Sequence, residues 1–185
     1  MKPHPFCPRM LLIVPALLAG CATLDEFGCD MHENKTRGVK PVTTYKIQAP
    51  KTNQTTYRSL PAGSLPQVRT YKMAFKPGYT KPCSTLILHK DVVILRSEDK
   101  DLTLTEIREF YAEDGTLITS NAQDITEQVL KSGAYIATTS LPIPKTAPPG
   151  KYKIVSRLQA EKRGDRKPPA SIIRAEGYFY IVPRQ

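Results

Sequence analysis

Lys151-Tyr152-Lys153-Ile154-Val155-Ser156-Arg157-Leu158-Gln159-Ala160-Glu161 is the stretch that decides the fold. Tyr152, Ile154, Ser156 and Leu158 alternate with Lys151, Lys153, Val155 and Arg157. That period of two sets one side of a strand against a core and the other in water. Pro148-Pro149-Gly150 turns the chain into it, and a polar loop from Lys162 to Pro169 leads out. Ile172 to Val182 then returns, with Ile173, Ala175, Gly177, Phe179 and Ile181 on one face. Two antiparallel strands of this length present an apolar face that a second sheet must cover.

Upstream, the chain reads as further short strands. Val68 to Phe75 alternates and stops at Lys76-Pro77-Gly78, a turn signal. Thr85–Leu88 and Val92–Leu95 read as two short buried strands separated by His89-Lys90-Asp91. Between Leu102 and Ala112 the pattern allows either a helical face (Leu104, Ile107, Tyr111) or a strand. The following Glu113-Asp114-Gly115-Thr116 decides for a strand, because Asp-Gly supplies the positive φ of a tight hairpin, with Leu117-Ile118-Thr119 returning. Asp124-Ile125-Thr126-Glu127 reads as a capping box for a short helix over Val129-Leu130 closed by Gly133, or as a loop. Tyr135 to Ile143 is a strand. Composition agrees: there are 17 Pro, 10 Gly and 9 Tyr, and long Ala/Leu/Glu-rich stretches are missing. The fold class is all-β.

Tyr111 to Thr116, Ser140-Leu141-Pro142-Ile143-Pro144 and Ala147-Pro148-Pro149-Gly150-Lys151-Tyr152 together resemble the later part of an immunoglobulin-like or fibronectin-type bacterial domain. The resemblance spans about residues 67–183 and implies an antiparallel β-sandwich. It further implies that Tyr152, in the Gly-x-Tyr step before the penultimate strand, forms a tyrosine corner. The family's Trp is missing, and Cys29 and Cys83 do not have its two-strand cysteine spacing. The pattern is one of turns and strands and carries no catalytic signature.

The N-terminus reads differently. Lys2 and Arg9 precede a run from Met10 to Gly20 of Met, Leu, Ile, Val, Pro, Ala and Gly. A charged start, a short apolar core and small residues at its end form an export signal. About 11 apolar residues are too few for a span that needs about 20. Leu18-Ala19-Gly20-Cys21 resembles the lipobox of bacterial lipoproteins. That resemblance implies cleavage before Cys21, lipid (palmitate among the acyl chains) on Cys21 and a membrane-anchored mature chain. Ala22 in the next position implies the outer membrane under the enterobacterial sorting rule, with the domain facing the periplasm. The organisation expected is a signal peptide at 1–20, a flexible tether at 21–66 with an edge strand at Thr43–Ile47, and the sandwich at 67–185. Removing 20 of 185 residues leaves 165, and losing Lys2 and Arg9 lowers the net charge from +10 to +8. A chain of 165 residues buries a sizeable core unaided.

Of four cysteines, Cys7 leaves with the signal and Cys21 takes the lipid. Cys29 and Cys83 either stay as two thiols or form one disulfide, and an oxidising envelope favours the bridge. Cys29-Asp30-Met31-His32-Glu33 has metal-capable residue types but no second clustered pair, so no metal is expected. No Gly-x-Ser-x-Gly elbow, phosphate loop or dinucleotide fingerprint occurs, and His89 is the only candidate base within the domain. The expectation is a protein with no cofactor that is not an enzyme. Asp99, Asp101, Glu106, Glu109, Glu113 and Asp114 read as a solvated strand face.

Two surface features stand out. Lys162, Arg163, Arg166 and Lys167 crowd the last hairpin loop, with Lys145, Lys151, Lys153 and Arg157 near in sequence. They either bind an anionic glycan or acidic protein patch, or guard the hairpin against edge pairing. Tyr178 and Tyr180 beside Arg174 form an aromatic face of the kind enriched at interfaces. Export sets nucleic acid aside as a partner. The function expected is a lipid-anchored binding or scaffolding module with an envelope protein partner, with peptidoglycan or lipopolysaccharide as the alternative ligand. Cys21→Ala should yield an unlipidated, unprocessed precursor, read by labelled-palmitate incorporation and gel mobility. Normal acylation of that variant would remove the anchor assignment.

Overall fold

The computed structural model describes residues 20–48, 57–165 and 167–184, with backbone alone for residues 20–25. The signal peptide expected at 1–20, apart from Gly20, lies outside the described residues, as do Arg166 and the side chain of Cys21. The elements are helix α1 (Gly20–Thr36) and strands β1 (Thr43–Ile47), β2 (Gln67–Phe75), β3 (Tyr79–Thr80), β4 (Ser84–Leu95), β5 (Leu102–Tyr111), β6 (Leu117–Asp124), β7 (Gly133–Ile143), β8 (Gly150–Lys162) and β9 (Ala170–Ile181). Among the described residues no helix is long and apolar enough to cross a membrane.

Two sheets face each other. One has the order β1-β7-β4-β2 and the other β3-β9-β8-β5-β6. All neighbours are antiparallel except β3 against β9. Setting β1 and β3 aside, β2, β4 and β7 stand where strands A, B and E of an immunoglobulin-like sandwich do, and β5, β8 and β9 stand as C, F and G. The chain is an all-β, immunoglobulin-like sandwich. Tyr152 Oη donates to the Pro148 carbonyl at 2.6 Å, four residues upstream, which is the tyrosine-corner bond. The Asp-Gly hairpin also forms, with Gly115 at φ 86° and Thr116 N–H bonded to Asp114 Oδ1 at 2.9 Å.

Three local readings need correction. The two short strands around His89-Lys90-Asp91 are one continuous strand, β4, because the period of two runs straight through: Leu86, Leu88, Lys90, Val92 and Ile94 all face inward and are buried. Over 124–133 there is only a 3-10 turn at Thr126–Gln128, since Thr126 Oγ1 is taken up by the Leu104 N–H and Gly133 already begins β7. Residues 20–36 form a helix where a flexible tether was expected, fixed to the body by Cys29. Thr43–Ile47 lies beside β7 at the sheet edge.

Glu106 is the fourth departure. It sits not on a solvated face but at the centre of the sandwich, fully buried with Lys90 and Arg108. Lys90 Nζ donates to Glu106 Oε1, Arg108 Nη1 to Glu106 Oε2 at 3.0 Å, and Ser156 Oγ to Oε1 at 2.7 Å. Tyr71 Oη completes the set at 3.3 Å. Apolar clusters flank this polar layer on both sides. One holds Val92, Ile94, Leu102, Leu104, Leu158 and Ala160; the other holds Leu86, Leu88, Leu141, Ile143, Phe179 and Ile181.

Desolvation acts to raise the Glu106 carboxyl, but the fields of Lys90 and Arg108 with the bonds from Lys90 and Ser156 outweigh it and hold the group below the usual range. At Lys90 burial wins instead and pulls the ammonium down to about 8, against the pull of Glu106. The two partners differ because Glu106 accepts from four donors whereas Lys90 donates to Glu106 alone. A depressed carboxyl gives stability that is complete above the unfolded value and lost as pH falls through the folded one. Urea unfolding should therefore show the wild type weakening below about pH 4.5, the ordinary value for this group. Glu106→Gln should flatten that loss. At neutral pH Glu106→Ala should cost about 3–5 kcal/mol, because two buried cations lose their partner.

Candidate functional site

The outer face of the five-stranded sheet gathers tyrosines and lysines that lie far apart in sequence. Across the strands the register sets Tyr111 opposite Lys153 and Lys153 opposite Tyr178. The adjacent row sets Lys151 opposite Tyr180 and Tyr180 opposite Tyr79. Lys151 Nζ stands 4.8 Å over the Tyr178 ring and Lys153 Nζ 5.0 Å over the Tyr111 ring, within cation–π range. Tyr79, Tyr178 and Tyr180 remain 61%, 49% and 50% exposed, so about half of each ring is free to cover another surface.

The neighbouring rows settle the charge of this face. Arg174 Nη2 donates to Glu176 at 2.7 Å and Arg157 Nη2 to Glu109 at 2.7 Å, so both carboxylates are neutralised locally. Tyr178 Oη also donates to Glu176 at 3.2 Å and Tyr111 Oη to Glu109 at 3.1 Å. The bond to Glu176, then partial desolvation, raises the Tyr178 hydroxyl and keeps it a neutral donor. Among the described residues neither Lys151 nor Lys153 forms an ion pair. The face is therefore aromatic and cationic. Such a surface suits a partner that offers flat apolar groups and negative charge.

The residues singled out from sequence do not form one surface. Arg174, Tyr178 and Tyr180 are on this face and exposed. Lys162, Arg163 and Lys167 are exposed at the hairpin tip, where Arg163 N–H bonds the Asp101 carbonyl at 2.7 Å and Lys167 N–H bonds Asp165 Oδ1 at 3.2 Å. Lys151 lies near the opposite end of β8 from Lys162, about 36 Å away at about 3.3 Å per residue, so the basic residues do not pool as the sequence suggested. Tyr79, Tyr111, Lys151 and Lys153 were not read as partners of Tyr178. Only strand register brings them together, and no local pattern encodes it.

At the end of the sandwich where β8 begins, Cys29 of α1 is joined to Cys83 by a disulfide, with Cα atoms 5.0 Å apart. Lys145 pairs there with Glu26 at 3.3 Å and Asp30 at 3.2 Å on the same helix. The histidines are separated by the fold: His32 is on α1 and His89 on β4. Among the described residues no group of three or more His, Cys, Asp and Glu side chains is placed to hold a metal ion.

No protein-family model matches the chain, and no curated protein matches it in sequence. Solved structures do match in shape. The CARDB domain of a Pyrococcus furiosus protein is 12% identical, covers 72% of this chain and 100% of its own, with a TM-score of 0.35. The PapD-like domain 7 of human CEP192 is 8% identical, with 75% and 99% covered and a TM-score of 0.36. A Bacteroides uniformis β-glucuronidase is 17% identical over 60% of this chain, with a TM-score of 0.40, and this chain spans only 13% of that enzyme.

The bridge closes a separation of 54 residues, which limits the unfolded chain by about 4 kcal/mol in the loop-entropy account. Purified mature protein should expose two alkylatable thiols, at Cys29 and Cys83, only after reduction, and reduction should lower its melting temperature. Complete alkylation of both without reductant would show that the bridge does not form.

Proposed function

We propose that this protein is an outer-membrane lipoprotein, anchored through Cys21, whose sandwich is a non-catalytic binding or scaffolding module of the cell envelope. The partner is an envelope protein, and an accessory role in an envelope or secretion assembly fits this reading. The observation that carries it is the exposed tyrosine–lysine face, whose Glu109 and Glu176 are neutralised by Arg157 and Arg174. The lipobox resemblance supports the location. The helix adds a constraint on reach: eight residues from Cys21 to Cys29 rise about 12 Å, so the bridge to Cys83 holds the domain near the bilayer rather than on a long leash.

A second reading gives the hairpin tip an acidic polymer, peptidoglycan or lipopolysaccharide, and rests on the exposure of Lys162, Arg163 and Lys167. One experiment separates the two. A photo-crosslinking residue at Tyr180 in intact cells should capture one discrete protein, whereas the same residue at Lys46, on the edge strand β1 of the other sheet, should not. Equal, diffuse labelling from both positions would defeat the scaffold reading. Retention on peptidoglycan that disappears when Lys162, Arg163, Arg166 and Lys167 are changed to Glu would establish the alternative.

A further inference from the structure

One end of the sandwich is not closed. Between the two sheets, where β7 ends and β8 begins, an apolar cleft of about 490 Å³ runs into the second apolar cluster. Phe110, Leu141, Ile143, Tyr152, Phe179 and Ile181 reach it from both sheets. Protein interiors are normally filled to crystal density, and a cleft of this size lies in the range of lipophilic ligand sites. Among the described residues Lys153 is the one charged residue along its lining, and the Lys153 ammonium is turned to the Tyr111 ring on the outer face of the sheet. An apolar slot of this kind matches a long apolar chain. It does not match a sugar, which needs several polar partners.

The location points the same way. Lys145, which grips Glu26 and Asp30 of α1, lies between Pro144 and Thr146, and both of these line the cleft. Pro41, on the segment joining α1 to β1, lines it too. The cleft therefore opens at the end where the helix leading back to Cys21 is fastened.

We infer that this cleft takes an acyl chain of a bilayer lipid. The choice of bilayer lipid as the source rests on the anchoring proposed above; the acyl chemistry rests on the cleft alone. Full-length acylated protein is reconstituted in vesicles of phosphatidylethanolamine and phosphatidylglycerol in which one lipid carries a diazirine on its acyl chain. After illumination, mass spectrometry maps the labelled peptides. Label should concentrate on the segments holding Phe110, Leu141–Ile143 and Phe179. Ala147→Trp, or Ala112→Trp at the rim, should cut that labelling at least tenfold with an unchanged melting temperature. Two readouts keep the proposals apart. Protein that floats with vesicles but is labelled only on α1, or equally in both Trp variants, overturns the acyl site. Protein that does not float overturns the anchor and the bilayer source, and a diazirine palmitate in solution then tests the cleft alone, where absence of cleft label overturns it too.

Discussion

The contact between Lys90 and Glu106 across the middle of the sandwich is the constraint on which the rest depends. Lys90 belongs to one sheet and Glu106 to the other, and Ser156 and Tyr71 bring in β8 and β2. A slip of one residue in any of these strands would turn a charged or polar group outward and leave its partners buried without it. Burial depresses Lys90 even beside its carboxylate, so the cluster is a poor source of net stability. Its effect is on register. Immunoglobulin-like domains with a disulfide and Trp at their centre fix the same strands by covalent and packing means. Here three charges and two hydroxyls occupy the layer between two apolar clusters.

Arg108 carries that order out to the N-terminal arm. Its Nη1 donates both to Glu106 and to Thr43 Oγ1, and its Nη2 donates to the Pro41 carbonyl at 2.8 Å and to Gln123 Oε1 at 3.1 Å. Gln123 then brackets Thr43, accepting its N–H at 2.7 Å and donating to its carbonyl at 2.8 Å, while Gln128 accepts the Tyr45 N–H at 2.8 Å. Side-chain amides thus satisfy part of the outer edge of β1, which covers backbone groups that another strand would otherwise seek. Under the proposed anchoring, a pull on Cys21 passes through α1 to Cys83 and through β1 to Arg108. Both routes end in the body of the sandwich, so the domain is held stiffly.

The strands were legible because burial on one side imposes a period of two, and β2, β5, β7, β8 and β9 sit close to where that period puts them. Lys90 and Glu106 were misread for a single reason. A charge inside an alternating run is taken for a turn or a wet face unless its opposite charge is known to lie across the core, and that opposite charge is 16 residues away on another sheet. The helix at 20–36 hid in a polar, Gly-containing segment whose order comes from a disulfide and two ion pairs rather than from its own pattern. For the candidate site, Arg174, Tyr178 and Tyr180 were visible as alternating outward residues of one strand. Their neighbours Tyr79, Lys151, Lys153 and Tyr111 required register, which is a property of strand pairs.

The geometry also assigns directions to the three surfaces. β8 runs from the end where α1 is fastened to the basic hairpin tip, about 40 Å at about 3.3 Å per residue over Gly150–Lys162. If α1 leads to the bilayer, the tip points away from it by several Debye lengths at physiological salt. The net charge of the tip then has no purchase on the headgroups of the anchoring membrane, and its attraction acts on whatever lies deeper in the periplasm. The tyrosine–lysine face stands on the side of the sandwich between the two ends, open to a partner that approaches along the membrane. Under that same anchoring the apolar cleft alone lies at the membrane end. Under the proposed readings, position in the fold rather than total charge separates lipid, protein and polymer as candidate ligands of one small domain.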